Sequence, residues 1–206
     1  MNLMVDLVTQ FGHIDIYLFD QLLRGRISSG MRIIDAGCGG GRNLIYFLKN
    51  GFDIFAVDSD SAAVQSLRAI ARQLAPEMPE SNFRIEPVER MSFADGFADV
   101  VLSSAVLHFA HDEGQFQSMV GEMWRVLRPG GLFFARLASN IGMESRVERI
   151  AGQRYLLPDG SERFLVDQEM LMSLTRSLGG RLLDPLKTTV VQDERCMTTW
   201  VVRKSL

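Results

Sequence analysis

A glycine-rich turn after a short apolar run constrains the fold of this chain more than any other feature. Residues 31–35 read as a buried strand, the next six are Ala36-Gly37-Cys38-Gly39-Gly40-Gly41, and residues 43–49 are apolar at helical spacing. Glycine permits positive φ angles and lets the backbone approach a ligand closely. A strand, a glycine turn and a helix in this order predict a nucleotide-binding α/β fold, whose ligands lie beyond the carboxyl ends of the strands.

The positions of the glycines indicate which kind of ligand the turn binds. A dinucleotide fingerprint has glycine at its first, third and sixth positions, but the sixth position counted from Gly37 is Arg42. The chain instead places Asp35 at the end of the strand, before Gly37, Gly39 and Gly41. A carboxylate there attracts a cation and repels a pyrophosphate. The turn therefore favours a cationic cofactor without phosphates, such as S-adenosylmethionine, over a nicotinamide dinucleotide. A plain structural turn is the alternative.

Composition and charge argue against several other classes of protein. The 206 residues carry a net charge of −3 with a pI near 5.7, which gives no general basic field for a nucleic-acid backbone. Cys38 and Cys196 lie far apart, a spacing that predicts neither a disulfide framework nor a metal site. No basic leader and no apolar run of about 20 residues is visible. We expect a cytoplasmic protein without nucleic-acid or membrane partners; a homodimer is left open.

Short apolar runs alternate with helical patterns along the chain, which indicates βαβ architecture. Strands are predicted at residues 31–35, 53–57, 83–86, 98–103 and 132–135, and helices at residues 5–24 (with a break at Gly12), 43–49, 61–74 and from the N-cap Asp112 onward. The last third predicts a hairpin or flap at residues 155–166, a helix capped by Asp167, and an antiparallel pair at residues 182–191 and 196–203.

These elements predict a single domain, residues 1–206, with a Rossmann-like, doubly wound fold. Its sheet is expected to be mostly parallel and seven-stranded, with an antiparallel C-terminal strand and helices on both faces. We divide the domain into an N-terminal helical cover (1–30), a cofactor-binding core (31–136), a substrate-side flap (137–166) and a C-terminal helix with antiparallel strands (167–206).

From residue 32 to residue 135 the sequence resembles the class I S-adenosylmethionine-dependent methyltransferases of small molecules. Besides the glycine turn, the resemblance rests on Asp58 at the end of the second strand, on residues 98–108 (ADVVLSSAVLH) and on residues 124–131 (WRVLRPGG). One departure is Pro87, which stands where many members carry an Asp near the adenine amino group. Residues 41–43, 50–53 and 197–204 are similar to those of the tellurite-resistance methyltransferases.

The resemblance implies S-adenosylmethionine as cofactor and S-adenosylhomocysteine as product. Asp58 would accept hydrogen bonds from both ribose hydroxyls, Val88 and Glu89 would recognise the adenine, and the carbonyl of Ser103 would accept from the ammonium group. An N-cap role is the alternative for Asp58, although Asp60 and Ser61 can cap that helix. The implied cofactor-binding residues together are Asp35, Ala36, Gly37, Cys38, Gly39, Asn43, Asp58, Ser59, Val88, Glu89 and Ser103.

We therefore expect an S-adenosylmethionine-dependent methyltransferase with a small-molecule acceptor. The alternative is a non-catalytic protein that binds S-adenosylmethionine as a scaffold. His108 is the candidate general base, and a structural or substrate-shaping role is its alternative. Cys38 is expected to pack under the cofactor rather than act as a nucleophile. Six further residues are predicted either to line the acceptor pocket or to lie on the solvated surface: Arg136, Asn140, Arg154, Arg163, His13 and Tyr17.

Overall fold

The computed structural model describes residues 6–206, which form one large mixed sheet, helices on both of its faces and a small second sheet. The strands are β1 Arg32–Ala36, β2 Asp53–Asp58, β3 Phe83–Ile85, β4 Ala98–Ser104, β5 Leu127–Ala138, β6 Glu148–Ala151, β7 Arg154–Leu156, β8 Glu162–Phe164, β9 Gly180–Leu182, β10 Lys187–Val191 and β11 Arg195–Lys204. The helices are α1 Leu7–Phe11, α2 Ile16–Leu23, α3 Ile45–Lys49, α4 Ser61–Leu74, α5 Glu113–Val126 and α6 Gln168–Ser177, with 3₁₀ turns at Glu80–Asn82 and Leu107–Phe109.

The large sheet has the strand order β10-β11-β5-β4-β1-β2-β3. Strands β1 to β5 are parallel to one another, whereas β11 runs antiparallel to β5 and to β10. This order confirms the predicted Rossmann-like, mostly parallel sheet with an antiparallel C-terminal strand. Seven strands follow one another in this order, and the short β9, which also pairs with β11, brings the sheet to eight.

Successive residues of the central strands point to opposite faces of the sheet, and both faces are covered. Ile33 lies in the core beneath α2, α3 and α4, while its neighbour Ile34 lies in the core beneath α5 and α6. Both side chains are fully buried. Double coverage explains why β1 and β4 read as unbroken apolar runs rather than as alternating patterns.

Aspartates begin most of the longer helices, because their carboxylates accept hydrogen bonds from first-turn N–H groups. Asp112 caps α5 through the N–H of Gln115, and Asp167 caps α6 through the N–H of Met170, as predicted. The predicted break at Gly12 is also present, since α1 ends there with φ at 64°. Residue 5, at which the first helix was predicted to begin, lies outside the described residues.

For the last third of the chain, one prediction was wrong and another was incomplete. The strand predicted at residues 182–191 is two strands, β9 and β10, with Pro185 in the connection; proline cannot donate to a strand ladder. The hairpin or flap predicted at residues 155–166 is present as the antiparallel pair of β7 and β8, to which β6 adds a third strand that was not predicted. Strand β6 shows no alternating pattern because all four of its residues are exposed. No helix within residues 6–206 is both long and apolar enough to cross a membrane.

Candidate active site

A cavity of about 620 Å³ lies at the carboxyl ends of β1, β2 and β4, where a doubly wound sheet places its ligands. This volume is within the range of small-molecule sites, ~300–1,000 Å³. The cavity is lined by Gly37, Cys38, Gly39, Gly40, Arg42, Asn43, Asp58, Ser59, Pro87, Val88, Glu89, Ser104, Ala105, Val106, Phe109, His111, Gln115 and Met119.

The glycine turn folds tightly over the end of β2. The N–H groups of Gly37 and Cys38 both donate to the carbonyl of Val57, at 2.9 and 3.0 Å. Gly37 has φ at 83°, and a Cβ atom there would lie 2.4 Å from Cγ2 of Val106. The turn therefore requires glycine at residue 37 both for its backbone angle and for its contact with Val106.

The carboxylate of Asp58 joins the turn to the end of β2. One oxygen accepts from the N–H of Gly39 at 2.8 Å and the other from the N–H of Asp60 at 2.9 Å. The side chain of Asp60, not of Asp58, caps α4 through the N–H of Ala62. Each carboxylate oxygen keeps a further lone pair, so Asp58 can still accept from hydroxyl groups in the cavity.

Asp35 is a buried carboxylate with an unsatisfied oxygen. Its side chain is in β1, residue exposure is 1 %, and Oδ2 has no hydrogen-bond partner among residues 6–206. Burial raises the pKa of Asp35 to about 7; Arg42 lowers that pKa and Asp58 raises it. Such a group is costly to keep charged unless a cation approaches it.

Arg42 and Asn43 follow the glycine turn and reach different partners. Arg42 lines the cavity and donates through Nη2 to Oγ of Ser104 at 3.1 Å. Oδ1 of Asn43 accepts from the N–H of Asp15 at 2.9 Å, which ties the turn to the start of α2. Asn43 thus lines the cavity, while its side-chain oxygen holds the start of α2 in place.

Residues that the sequence analysis did not select form the other wall of the cavity. Gln115 donates to Glu89 at 3.1 Å and accepts from the N–H of His111 at 2.8 Å, so it orients the Glu89 carboxylate. Gln115 and Met119 stand one helical turn apart at the start of α5. That spacing, directly after the loop that follows β4, is the sequence signal that could have identified them.

His108 lies in a second cavity, of about 290 Å³, and does not line the first. Its Nδ1 accepts from the N–H of Ala138 at 3.3 Å. Burial, with a contribution from Arg163, lowers the pKa of His108 to about 4. The imidazole is therefore neutral at pH 7, and because Nδ1 is the acceptor, its proton is assigned to Nε2. In this state neither nitrogen has a free lone pair for a proton from substrate.

The other predicted site residues are placed as follows. Ala36 and Ser103 are buried in β1 and β4 and, like Asp35, lie behind the cavity wall rather than in it. Burial, and then the charges of Asp35 and Asp58, raise the pKa of the Cys38 thiol. The thiol therefore stays protonated, which is unsuited to a nucleophile. Among residues 6–206, no three His, Cys, Asp or Glu side chains are grouped so that they could hold a metal ion.

Comparison with known proteins identifies the family. The profile of the methyltransferase domain matches residues 34–135, from β1 to β5. Residues 34–135 therefore form a methyltransferase domain. The chain is 28% identical over 165 residues to a ubiquinone biosynthesis O-methyltransferase of Brucella anthropi. The match covers 78% of this chain and 64% of the relative, so the chain spans less than two thirds of that protein's length.

Solved structures share the fold of this chain. An S-adenosylmethionine-dependent methyltransferase of Methanosarcina mazei superposes with a TM-score of 0.74 at 18% identity, covering 90% of this chain and 97% of that one. The 1,6-didemethyltoxoflavin-N1-methyltransferase of Burkholderia thailandensis, with bound 1,6-didemethyltoxoflavin and S-adenosylhomocysteine, gives 0.70 at 19% identity, covering 98% and 82%.

The contact between Gly37 and Val106 predicts unequal effects of two glycine substitutions. Gly37→Ala and Gly39→Ala both place a side chain at positive φ, at a cost of roughly 1–2 kcal/mol. Only at Gly37 does the new Cβ also overlap Val106, which adds about 1–3 kcal/mol. Urea unfolding should show the larger loss for Gly37→Ala, and Val106→Ala in that background should restore part of it. Equal losses for the two glycine variants would contradict this packing.

The raised pKa of Asp35 predicts a pH-dependent loss of stability. A folded-state pKa of about 7 against an ordinary 3.8 means that the stability from this group is complete below about pH 4 and is lost as pH rises to 7. Asp35→Asn should therefore stabilise the ligand-free protein at pH 8 by roughly 1–4 kcal/mol, and much less at pH 4.5. Urea unfolding at both pH values, with exposed Asp60→Asn as control, measures this. An identical pH dependence in Asp35→Asn and in the native chain would refute it.

Proposed function

We propose that this chain transfers a methyl group from S-adenosylmethionine to a small-molecule acceptor. The observation that carries the proposal is the pair of opposite charges at the carboxyl end of β1. Asp35 supplies a buried carboxylate with an unpartnered oxygen, and Arg42 supplies a guanidinium that lines the cavity beside it. A zwitterionic amino acid next to a sulfonium, the charged half of S-adenosylmethionine, is complementary to this arrangement.

The chain's residues fit the amino-acid part of the cofactor. Asp35 would attract the ammonium group, and the carbonyl of Ser103 at the end of β4 would accept a hydrogen bond from it. Arg42 would pair with the carboxylate, for which a guanidinium is well suited. The ammonium group would satisfy Oδ2 of Asp35, which lacks a partner among the described residues. The aliphatic part of the cofactor between its ammonium and sulfonium groups would be enclosed by the backbone of residues 36–39.

The remaining residues fit the nucleoside part. Asp58, whose two oxygens are already oriented by the N–H groups of Gly39 and Asp60, would accept from the two ribose hydroxyls, with Ser59 beside it. Val88 and Glu89 would recognise the adenine, and Gln115 would hold the Glu89 carboxylate in place. Pro87 lines the cavity but, having no N–H and no carboxylate, would contribute only its ring.

When bound, the cofactor supplies a methyl group that the sulfonium already activates. The protein's task is therefore to orient the acceptor and to exclude water. Ala105 lies at the boundary of the two cavities and lines both, so an acceptor in the second cavity would reach the first beside it. We assign to His108 the shaping of that acceptor cavity through its neutral ring. The matched Brucella relative is named an O-methyltransferase, which supports a small organic acceptor.

Calorimetry with S-adenosylhomocysteine tests the cofactor site. Asp58→Asn should weaken binding by roughly 1.5–3 kcal/mol, because a carboxylate that accepts two hydroxyls becomes an amide that accepts fewer. Asp60→Asn is the matched control: asparagine also caps helices well, and this residue does not line the cavity. No binding to the native chain would overturn the proposed function, and equal affinities of the two variants would overturn the ribose assignment.

Methyl transfer separates an enzyme from a scaffold and tests His108. The native chain should transfer labelled methyl from S-adenosylmethionine to at least one member of a panel of thiols, phenols and amines. His108→Gln should leave S-adenosylhomocysteine affinity unchanged and change the rate by less than about tenfold, since loss of a general base costs ~10²–10⁴-fold. If His108→Gln instead lowered the rate by ~10²–10⁴-fold, and only for phenols and amines, His108 would be the general base. Binding without transfer to any acceptor would favour the scaffold.

A further inference from the structure

The second cavity is built by parts of the chain that are far apart in sequence. Ala105 and His108 come from the loop after β4, Arg136 from β5, Arg163 from β8 and Arg195 from the start of β11. The small sheet that carries Arg163 is fixed in place, because Phe164 of β8 stacks on Phe116 of α5 with ring centroids 4.6 Å apart. The cavity is thus a formed part of the fold, and it meets the large cavity at Ala105.

The charges that line this cavity are unbalanced. Three guanidinium groups, those of Arg136, Arg163 and Arg195, face a single carboxylate, that of Asp159. Oδ1 of Asp159 accepts from the N–H and the hydroxyl of Ser161, at 2.9 and 2.5 Å, and the single charge of this carboxylate offsets one of the three arginines. His108 adds no positive charge at neutral pH, because its ring is buried and neutral. The cavity therefore carries net positive charge next to the proposed methyl donor.

Two of the three arginines lack a carboxylate partner. Arg136 pairs with Asp15, Nη1 to Oδ2, at 2.9 Å, and its Nε is buried without an acceptor. By contrast, no carboxylate among residues 6–206 lies within ion-pair distance of Arg163 or Arg195. Arg163 lies over the ring of Phe109, 5.0 Å from its centroid, which restricts the guanidinium. A guanidinium that is held in place is well suited to binding an anion.

The rest of the wall is apolar and the space is small. Ala138, Leu157, Val191 and Met197 supply aliphatic surface. A volume of about 290 Å³ is at the lower limit of ligand sites, which are ~300–1,000 Å³. An acceptor that fits would have a compact body against the aliphatic wall and a charged end at the arginines.

We propose that the second cavity binds the methyl acceptor through a negatively charged group, a carboxylate or another oxyanion, held by Arg163 and Arg195. The acceptor's nucleophilic atom then lies at the opposite end, beside Ala105, where the two cavities meet. The acceptor is thus an anionic small molecule rather than a neutral one. This inference rests on the proposed function, because it takes the large cavity as the site of the methyl donor.

The test is a binding comparison that does not require turnover. Benzoate, its neutral isostere benzamide and inorganic phosphate are titrated into the protein loaded with S-adenosylhomocysteine, and the backbone amides of Ser161 and Arg163 are followed by NMR. Benzoate should bind at least about tenfold more tightly than benzamide, the scale of one charge-assisted contact. Tighter binding of phosphate than of benzoate would identify the anion as a tetrahedral oxyanion, and the reverse would identify a carboxylate.

Variants assign the preference to the two arginines. Arg163→Gln with Arg195→Gln should abolish the preference for benzoate and leave S-adenosylhomocysteine affinity unchanged. Arg163→Lys should retain most of the preference for benzoate, because lysine keeps the positive charge. This variant therefore separates loss of charge from damage to the fold. Arg181→Gln, at an exposed residue of β9 outside the cavity, is the control for loss of an arginine elsewhere on the surface and should have no effect.

The outcomes separate this inference from the proposed function. If S-adenosylhomocysteine does not bind the native chain, the proposed function fails. If it binds but benzamide equals benzoate, or neither anion shifts these amides at millimolar concentration, the anionic-acceptor inference alone is overturned. The same conclusion follows if the preference for benzoate survives replacement of both arginines.

Discussion

The carboxylate of Asp35 is the constraint on which the rest of the site depends. A charge buried without a partner is expensive, and the chain places this one in the central parallel strand, directly before the glycine turn. Arg42 lowers the cost but makes no hydrogen bond to it, whereas Asp58 raises the cost further. The protein therefore keeps an unfavourable group where a cationic ligand would make it favourable. The free energy that the buried charge of Asp35 costs the ligand-free protein would be recovered when a cationic ligand binds beside it.

A short chain of polar contacts connects this site to the N-terminal helices and to the second cavity. Asn43, next to Arg42, accepts from the N–H of Asp15, and the carboxylate of Asp15 caps α2 and pairs with Arg136. Arg136 in turn lines the cavity that contains His108. The N-terminal helices are therefore bound to both cavities through one buried aspartate, whose exposure is 3 %. This arrangement lets the walls of the two cavities form as one unit.

The parts of the fold that the sequence predicted share a local cause. Gly12 broke the first helix, and Asp112 and Asp167 began α5 and α6, because caps and positive φ angles act within a few residues. The predictions failed where the pattern was absent, as in β6, which is exposed throughout, or was interrupted, as at Pro185. For the site, Asp58 at the end of β2 and Glu89 were selected through the resemblance to the class I methyltransferases. Arg42 was not selected, since its role depends on what lies across the cavity, and Gln115 was missed although its spacing to Met119 on α5 is visible in the sequence.

The sequence by itself determined the sheet, its mostly parallel order and the edge at which a ligand would bind. Apolar runs, the glycine turn and the acids Asp35 and Asp58 are local features with fixed geometric consequences. Only the tertiary structure decided that His108 lies in a separate cavity with its Nδ1 engaged by Ala138. Only it brought Arg136, Arg163 and Arg195 together, from strands in two different sheets. The physical reason is that charge and burial depend on neighbours in space, which residues distant in sequence supply.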